Sequence, residues 1–468
     1  MKKLTPFAIA ALLVLNVACS SDETTPIVPP TAQTLTVQTA DPQVSGLNAI
    51  VGGSIASFGT EPILETGVIL ANQPDQTIES LPDGAYPIAL ETNQFEEALL
   101  FDASLAGMPI YVRAYAKTAT QVVYGDSKMF VLEGCTVHLV TPDGPVTINA
   151  PQTWASGEVH VITQNVTITS QLTIEPGAIV KVDGAQIRVN PGGTIQALGT
   201  LEAPIVFTSL KDDVFCGDTN SDGASEGQKG DWTGIYLTAP GSQFTYCGIL
   251  YAGANDGGYY NAVRISGTGA DFGFDHCVFA YTLGHPTASA AFAFYGGATM
   301  KDATESQFTN NAFYGNDRPI YLNIYYNFNP NNQFFNPDQP AESNTRNGIW
   351  TWHTTMPGVT ATFMEDEAPY VVDAFFNGGG SAATDGVIIG PNVIVKFNGT
   401  LSGISRAANR NISIDASAAL TSYKDDLRGG DTNGDGNATF ASDGDWDGYY
   451  NYQTTTYLGG ANIFYDAH

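Results

Sequence analysis

Two stretches of the chain carry the same oxygen-rich phrase. Gly217-Asp-Thr-Asn-Ser-Asp-Gly223 recurs as Gly430-Asp-Thr-Asn-Gly-Asp-Gly436, each between a Lys-Asp-Asp and a Gly-Asp-Trp. Asp218, Asn220 and Asp222 alternate in the first copy, and Asp431, Asn433 and Asp435 in the second. Alternate side chains of a tight turn converge, and glycine lets the chain reverse. A hard divalent cation takes six to eight oxygens at about 2.3–2.6 Å, so the expected ligand is calcium. Asp231 and Asp445, each ahead of a tryptophan, are expected to close the two shells. Asp212, Asp213, Asp425 and Asp426 stand by as further oxygens. The ions are expected to be structural, folding inserts at 211–232 and 424–446 that lack a core of their own.

The phrase resembles the first half of an EF-hand calcium loop. The glutamate of that loop's twelfth position is missing, with Lys229 and Ser442 in its place. Flanking helices are therefore not expected. The alternative is a solvated acidic turn whose Asp and Asn side chains serve only backbone N–H groups.

Catalytic chemistry is harder to place. None of the six histidines stands at a metal-ligand spacing from another. In Asp275-His276-Cys277 a strand would alternate the side chains in and out, so the three cannot converge. A lyase would draw a base from Arg264, Lys301 or Arg318. A hydrolase would need two carboxylates about 5–10 Å apart, from Asp271, Asp275, Asp302, Glu305 and Asp317. No motif selects among these, and no catalytic residue is assigned. Trp350, Trp352 and the tyrosines near 314–326 and 449–457 offer rings for stacking on sugars or for capping a solenoid end.

Charge narrows the partners. The 468 residues hold 18 Lys plus Arg against 47 Asp plus Glu, a net charge of −29. Phosphate backbones need cationic partners, so nucleic acid is excluded. Acidic polysaccharides would be repelled unless calcium or a basic patch bridges them.

The N-terminus reads as an address. Lys2 and Lys3 precede a mostly apolar run from Phe7 to Val17, too short to span a bilayer. Asn16-Val17-Ala18-Cys19 resembles a bacterial lipobox, with Asn16 where leucine is usual. The resemblance implies cleavage after residue 18, lipidation of Cys19 and a membrane partner reached through that lipid. Ser20-Ser21-Asp22-Glu23 resembles the export tag of surface lipoproteins, which implies the outer membrane and the cell surface of a diderm bacterium. Residues 19–33, with Pro26, Pro29 and Pro30, form an extended tether. An exported protein can form disulfides, and Cys135, Cys216, Cys247 and Cys277 remain for them.

Two kinds of element must position these residues, and both are β. Residues 34–133 alternate with the strand period, punctuated by Gly52-Gly53, Pro82-Asp83-Gly84 and Gly125-Asp126. Glu65-Thr-Gly-Val68, Ile110-Tyr-Val-Arg-Ala-Tyr-Ala116 and Tyr124-Gly125 resemble a fibronectin type III-like module, which implies a β-sandwich spacer. Residues 136–468 differ. Leu172-Thr-Ile-Glu-Pro-Gly-Ala-Ile-Val-Lys-Val182 is followed 15 residues on by Ile187-Arg-Val-Asn-Pro-Gly-Gly-Thr-Ile-Gln-Ala-Leu198. Short strands with Gly turns at near-fixed spacing indicate a solenoid, whose coils bury their faces only by stacking. Phe244, Phe274 and Phe308 are expected to form one internal ladder, with Cys247, Cys277 and Asn311 beside it. One coil separates Cys247 from Cys277, which leaves a disulfide or a pair of stacked thiols open.

The duplication extends beyond the inserts. Pro176-Gly-Ala-Ile-Val-Lys-Val182 recurs as Pro391-Asn-Val-Ile-Val-Lys-Phe397, and Thr208-Ser-Leu-Lys-Asp-Asp213 as Thr421-Ser-Tyr-Lys-Asp-Asp426. These phrases, with Pro204-Ile-Val-Phe-Thr-Ser209, resemble the right-handed parallel β-helix proteins of bacterial surfaces, whose fold is pectate-lyase-like. The resemblance implies the fold and leaves the activity open. The expectation is a surface-anchored, calcium-stabilised adhesin or glycan-binding protein whose partner is a polysaccharide or a surface protein. The rivals are a polysaccharide lyase or glycoside hydrolase, and a structural envelope component.

Overall fold

The structure, a computed structural model, describes residues 34–46, 48–101, 105, 108–132, 134–266, 272–285, 290–295, 307–323, 331–352, 360–373, 375–377, 386–406, 411–436, 438–452 and 454–468. The lipobox and tether lie outside them. So do Asp271, Lys301, Asp302 and Glu305.

The chain is all-β. Its first part holds two antiparallel sheets. Leu35–Thr39, Gln43–Ser45, Asn48–Phe58 and Gln94–Leu100 make one; Glu65–Ala71, Ala85–Pro87, Pro109–Lys117, Val122–Tyr124 and Lys128–Val131 make the other. Alternation puts Val51, Val68, Phe95, Val112 and Ala114 into one shared core.

From Thr136 onward the strands pair in parallel, save the final hairpin of Gly448–Asn451 with Thr456–Tyr457. One sheet has seven strands, from Thr136–Leu139 to Ala312–Tyr314. A second has eleven, from Val146–Ile148 to Ala419–Ser422. A third has six, from Gln152–Trp154 to Gln307–Thr309. The chain visits them in turn, as solenoid coils do. Each strand stacks on its counterpart one coil earlier, about 4.8 Å away. The 15-residue repeat is therefore not a coil. Leu172 and Ile187 belong to neighbouring sheets, and Leu172 pairs across coils with Ile195.

The interior is a continuous apolar column. Phe244, Phe274 and Phe308 are in register as expected. Phe244 lies flat on Phe274, centroids 4.6 Å apart, but Phe308 meets Phe274 edge-on and rests instead on Phe292 at 4.6 Å.

The disulfide alternative for Cys247 and Cys277 is corrected. Both are buried free thiols, and the disulfide joins Cys135 to Cys216. Parallel strands in register point matched side chains the same way, with Cβ atoms near the strand spacing. A disulfide draws its Cβ atoms to about 3.5–4.5 Å, which that geometry resists. Cys135 and Cys216 approach instead from a linker and a loop, Cα atoms 5.9 Å apart.

The duplicated halves fold alike locally but lie on different sheets. Ile179–Val182 and Ile205–Ser209 belong to the seven-stranded sheet, while Ile394–Phe397 and Ala419–Ser422 belong to the eleven-stranded one.

Candidate metal centre and aromatic surface

Each insert leaves the end of a strand and returns at a tryptophan. Trp232 and Trp446 are fully buried, and their Nε1 atoms donate to Leu250 O (2.7 Å) and Phe464 O (2.8 Å). The preceding aspartates act as clasps. Asp231 accepts from Ser209 Oγ (2.7 Å), Lys211 Nζ (2.9 Å) and the Gln228 N–H (2.7 Å). Asp445 accepts from Ser422 Oγ (2.7 Å), Lys424 Nζ (2.7 Å) and the Ser442 N–H (3.0 Å). Both oxygens of each carboxylate are engaged in these bonds. They fasten the two ends of each insert together.

The oxygens that converge are others. Asp426, Asp431 and Asp435 bring one carboxylate oxygen each to within 4.8 Å of one another, the one such group among the described residues. Backbone N–H groups shape this loop: Asp431 accepts from Gly434 (2.6 Å) and Gly436 (2.8 Å). Asn433 Nδ2 donates to Asp435 at 2.9 Å. Burial, then the neighbouring Asp431 charge, pushes the Asp426 carboxyl up. In the first insert Asp218 accepts from Asp222 (3.1 Å) and Gly223 (2.9 Å), and the Gly223 bond leads in holding its carboxyl low. Asn220 donates to Asp222 at 2.8 Å.

The fit to a hard cation can be tested on acceptors left over. Asp426 Oδ1 is buried without a hydrogen bond. So are Asp213 Oδ1, at the matching place in the first insert, and Asn220 Oδ1. A buried oxygen without a donor is costly unless a cation meets it. The donor set is all oxygen, as calcium requires.

A pair of buried lysines anchors both inserts. Lys181 and Lys396 have no solvent exposure. Lys181 Nζ donates to Gly217 O at 2.7 Å; Lys396 Nζ donates to Gly430 O at 2.6 Å and Thr432 Oγ1 at 3.0 Å. Burial pulls both ammonium groups down to about 8, against the pull of the nearby aspartates. The signal was present, since both lysines sit in the duplicated Ile-Val-Lys phrase.

A second surface lies further along the seven-stranded sheet. Tyr246, Tyr251, His276 and Tyr281 all have positive φ, between 46° and 59°. They flank the strands Cys247–Leu250 and Val278–Ala280. Bulky side chains in that region cost of order 1–3 kcal/mol each and concentrate at functional surfaces. The rings pair across coils: Tyr246 on His276 at 4.6 Å, Tyr251 on Tyr281 at 5.3 Å. Between the two rows, the outward strand positions hold Gly248 and Leu250, then Val278 and Ala280, then Ala312 and Tyr314. Two glycines make room for the rings: a Cβ on Gly227 would sit 2.3 Å from Tyr251, and one on Gly315 2.6 Å from Tyr281. Burial, then the hydrogen bond to Glu342, raises the Tyr281 hydroxyl pKa.

The candidate catalytic groups are engaged elsewhere. Asp275 accepts from Thr309 Oγ1 (2.7 Å) and Asn310 Nδ2 (2.9 Å) and pairs with His276 at 3.0 Å. Cys277 points inward, away from both. Asp317 pairs with Arg346, Arg264 with Asp256, and the Arg318 guanidinium lies 3.7 Å over Trp350.

No protein-family model, curated protein or solved structure matches the chain.

Proposed function

We propose that this protein is a cell-surface lipoprotein that binds an extended glycan without cleaving it. Its N-terminal sheets are read as a fibronectin type III-like spacer and its parallel sheets as a right-handed β-helix. In-register parallel pairing supports that fold. Lipidation at Cys19 would anchor the chain to the outer membrane. Calcium in the two inserts would stiffen the solenoid, a reading supported by the unpaired buried oxygens of Asp213, Asn220 and Asp426.

The binding reading rests on one observation: four aromatic residues held at positive φ in two rows stacked from one coil to the next. Stacked in this way, the rings turn their edges and polar tips outward, where a glycan's hydroxyls can hydrogen-bond to them. The net charge of −29 favours a neutral glycan.

The test is a panel of neutral and acidic polysaccharides with calcium present, scoring retention and new chain ends. Retention on neutral glycans without new ends is expected. Tyr246→Asn and Tyr281→Asn, chosen because Asn tolerates positive φ, are expected to weaken it about tenfold, roughly 1.4 kcal/mol. New chain ends would make the protein an enzyme. No retention across the panel would leave a structural envelope role.

A further inference from the structure

One cluster belongs neither to the inserts nor to the aromatic rows. It sits in the first coil, where the strand Thr136–Leu139 pairs in parallel with Glu158–Ile162. The register places His138 opposite His160. Glu158 lies two residues before His160 and so faces the same side. Its carboxylate meets both imidazoles: Oε1 lies 3.1 Å from His138 Nε2, and Oε2 lies 3.5 Å from His160 Nε2.

The His160 side chain is only 5% exposed, yet its Nε2 makes no hydrogen bond. Its ring is fixed flat against Trp154, centroids 4.6 Å apart, so it cannot turn away to find a partner. A buried imidazole nitrogen without a hydrogen bond, aimed at a carboxylate, is an arrangement that a soft-to-borderline cation satisfies. His138 stacks on His160 at 5.3 Å and is 47% exposed on the outermost strand.

We infer that His138, Glu158 and His160 form a binding site for a divalent transition-metal ion, zinc foremost, at the N-terminal mouth of the solenoid. Two imidazoles and a carboxylate are a common donor set for zinc, with Zn–N near 2.0–2.1 Å and a fourth place left for water. The carboxylate already faces both imidazoles, Oε1 toward His138 and Oε2 toward His160, so a small turn of Glu158 would present one oxygen to a shared ion. Closure requires the exposed His138 ring to tilt toward His160, bringing the two nitrogens to about 3.3 Å apart. The buried His160 and its tryptophan backing stay put. The all-oxygen inserts prefer calcium, so the two kinds of ion would sort between the sites by ligand type.

The experiment uses the full chain, stripped of transition ions and saturated with calcium. Cobalt(II) is added, and the ligand-field absorption of a low-coordinate nitrogen-containing site is followed, then zinc is titrated against it. One equivalent of cobalt is expected, displaced by zinc. His138→Gln and Glu158→Gln are expected to lower zinc affinity on the order of 100-fold or more, since even outer-shell partners are worth about 10–100-fold. His138→Gln changes a half-exposed residue on an outer strand, and its unchanged melt would show that the fold survives. Asp426→Asn combined with Asp431→Asn is expected to leave zinc binding intact. The inference is overturned by equal zinc affinity in wild type and His138→Gln, by loss of binding in the insert variant, or by no binding in the wild type.

Discussion

The ammonium of Lys181 donates to the carbonyl of Gly217 at 2.7 Å, one residue before Asp218 begins the acidic turn. Lys396 and Gly430 repeat the relationship at 2.6 Å in the second insert. A buried cation thus reaches up from the sheet into each loop of carboxylates. It offsets part of their mutual repulsion and fixes where the loop sits.

Removing that cation should expose the dependence. Lys396→Met keeps the stem and deletes the charge, leaving Asp425, Asp426 and Asp431 without it. Breaking a buried charge arrangement typically costs about 3–5 kcal/mol. The melt in chelator should therefore drop. Excess calcium should restore part of the loss, because an external ion replaces the missing positive charge. Thermal melts with and without calcium read this directly, and a variant indifferent to calcium would contradict it.

The ligand set is separable from the clasp. At free calcium about 100-fold above Kd, one site adds roughly 2.7 kcal/mol of stability. Asp426→Asn should remove the second insert's share of that shift while changing the calcium-free melt little. Asp445→Asn should do the reverse, lowering the calcium-free melt by releasing Lys424 and Ser422 while retaining a calcium response.

Glu365 supplies a pH dependence. It is fully buried and ends a run of stacked amides: Asn311 Nδ2 donates to Asn332 Oδ1 at 3.0 Å, and the Asn332 N–H donates to Glu365 Oε2 at 3.3 Å. Burial raises its carboxyl pKa above the ordinary 4.5. A raised folded pKa means that the native state holds the proton more tightly than the unfolded chain. This group's contribution is complete below pH 4.5 and is lost as pH climbs through the raised value. Glu365→Gln should remove that loss, so its advantage over wild type should be greatest at neutral pH and shrink toward pH 4.5. Paired urea melts across that range check it.

Thiol accessibility tests the cysteine assignment. Cys135 and Cys216 close a span of 81 residues, and the chain-entropy account gives roughly 4 kcal/mol for a loop of that size. Cys135→Ser should lower stability by up to that amount. Without reductant, Cys247 and Cys277 should resist alkylation in the native protein and react after unfolding, while Cys135 and Cys216 stay blocked. Peptide mapping distinguishes the pairs.

Much of the fold was legible because period and turn chemistry are local. The strands Glu65–Ala71 and Pro109–Lys117, and the Pro-Gly turn between Gln171–Ile174 and Ile179–Val182, appear in the expected places. The in-register Phe244 and Phe274 were readable from their matched surroundings. The strand Gln94–Leu100 is not legible in the sequence, because Glu96 and Glu97 interrupt its apolar pattern.

What the sequence determined by itself was composition, period and repetition: an all-β chain and two equivalent acidic loops. Those properties lie in neighbouring residues. What the tertiary structure decided was which groups meet across coils. Coil length sets vertical register, and no local pattern encodes it. It is register that sends Asp231 and Asp445 to lysines, brings Asp426 to Asp431 and Asp435, and leaves Cys247 and Cys277 as free thiols. Register also places His138 over His160, residues 22 apart in a chain where neither spacing nor motif links them.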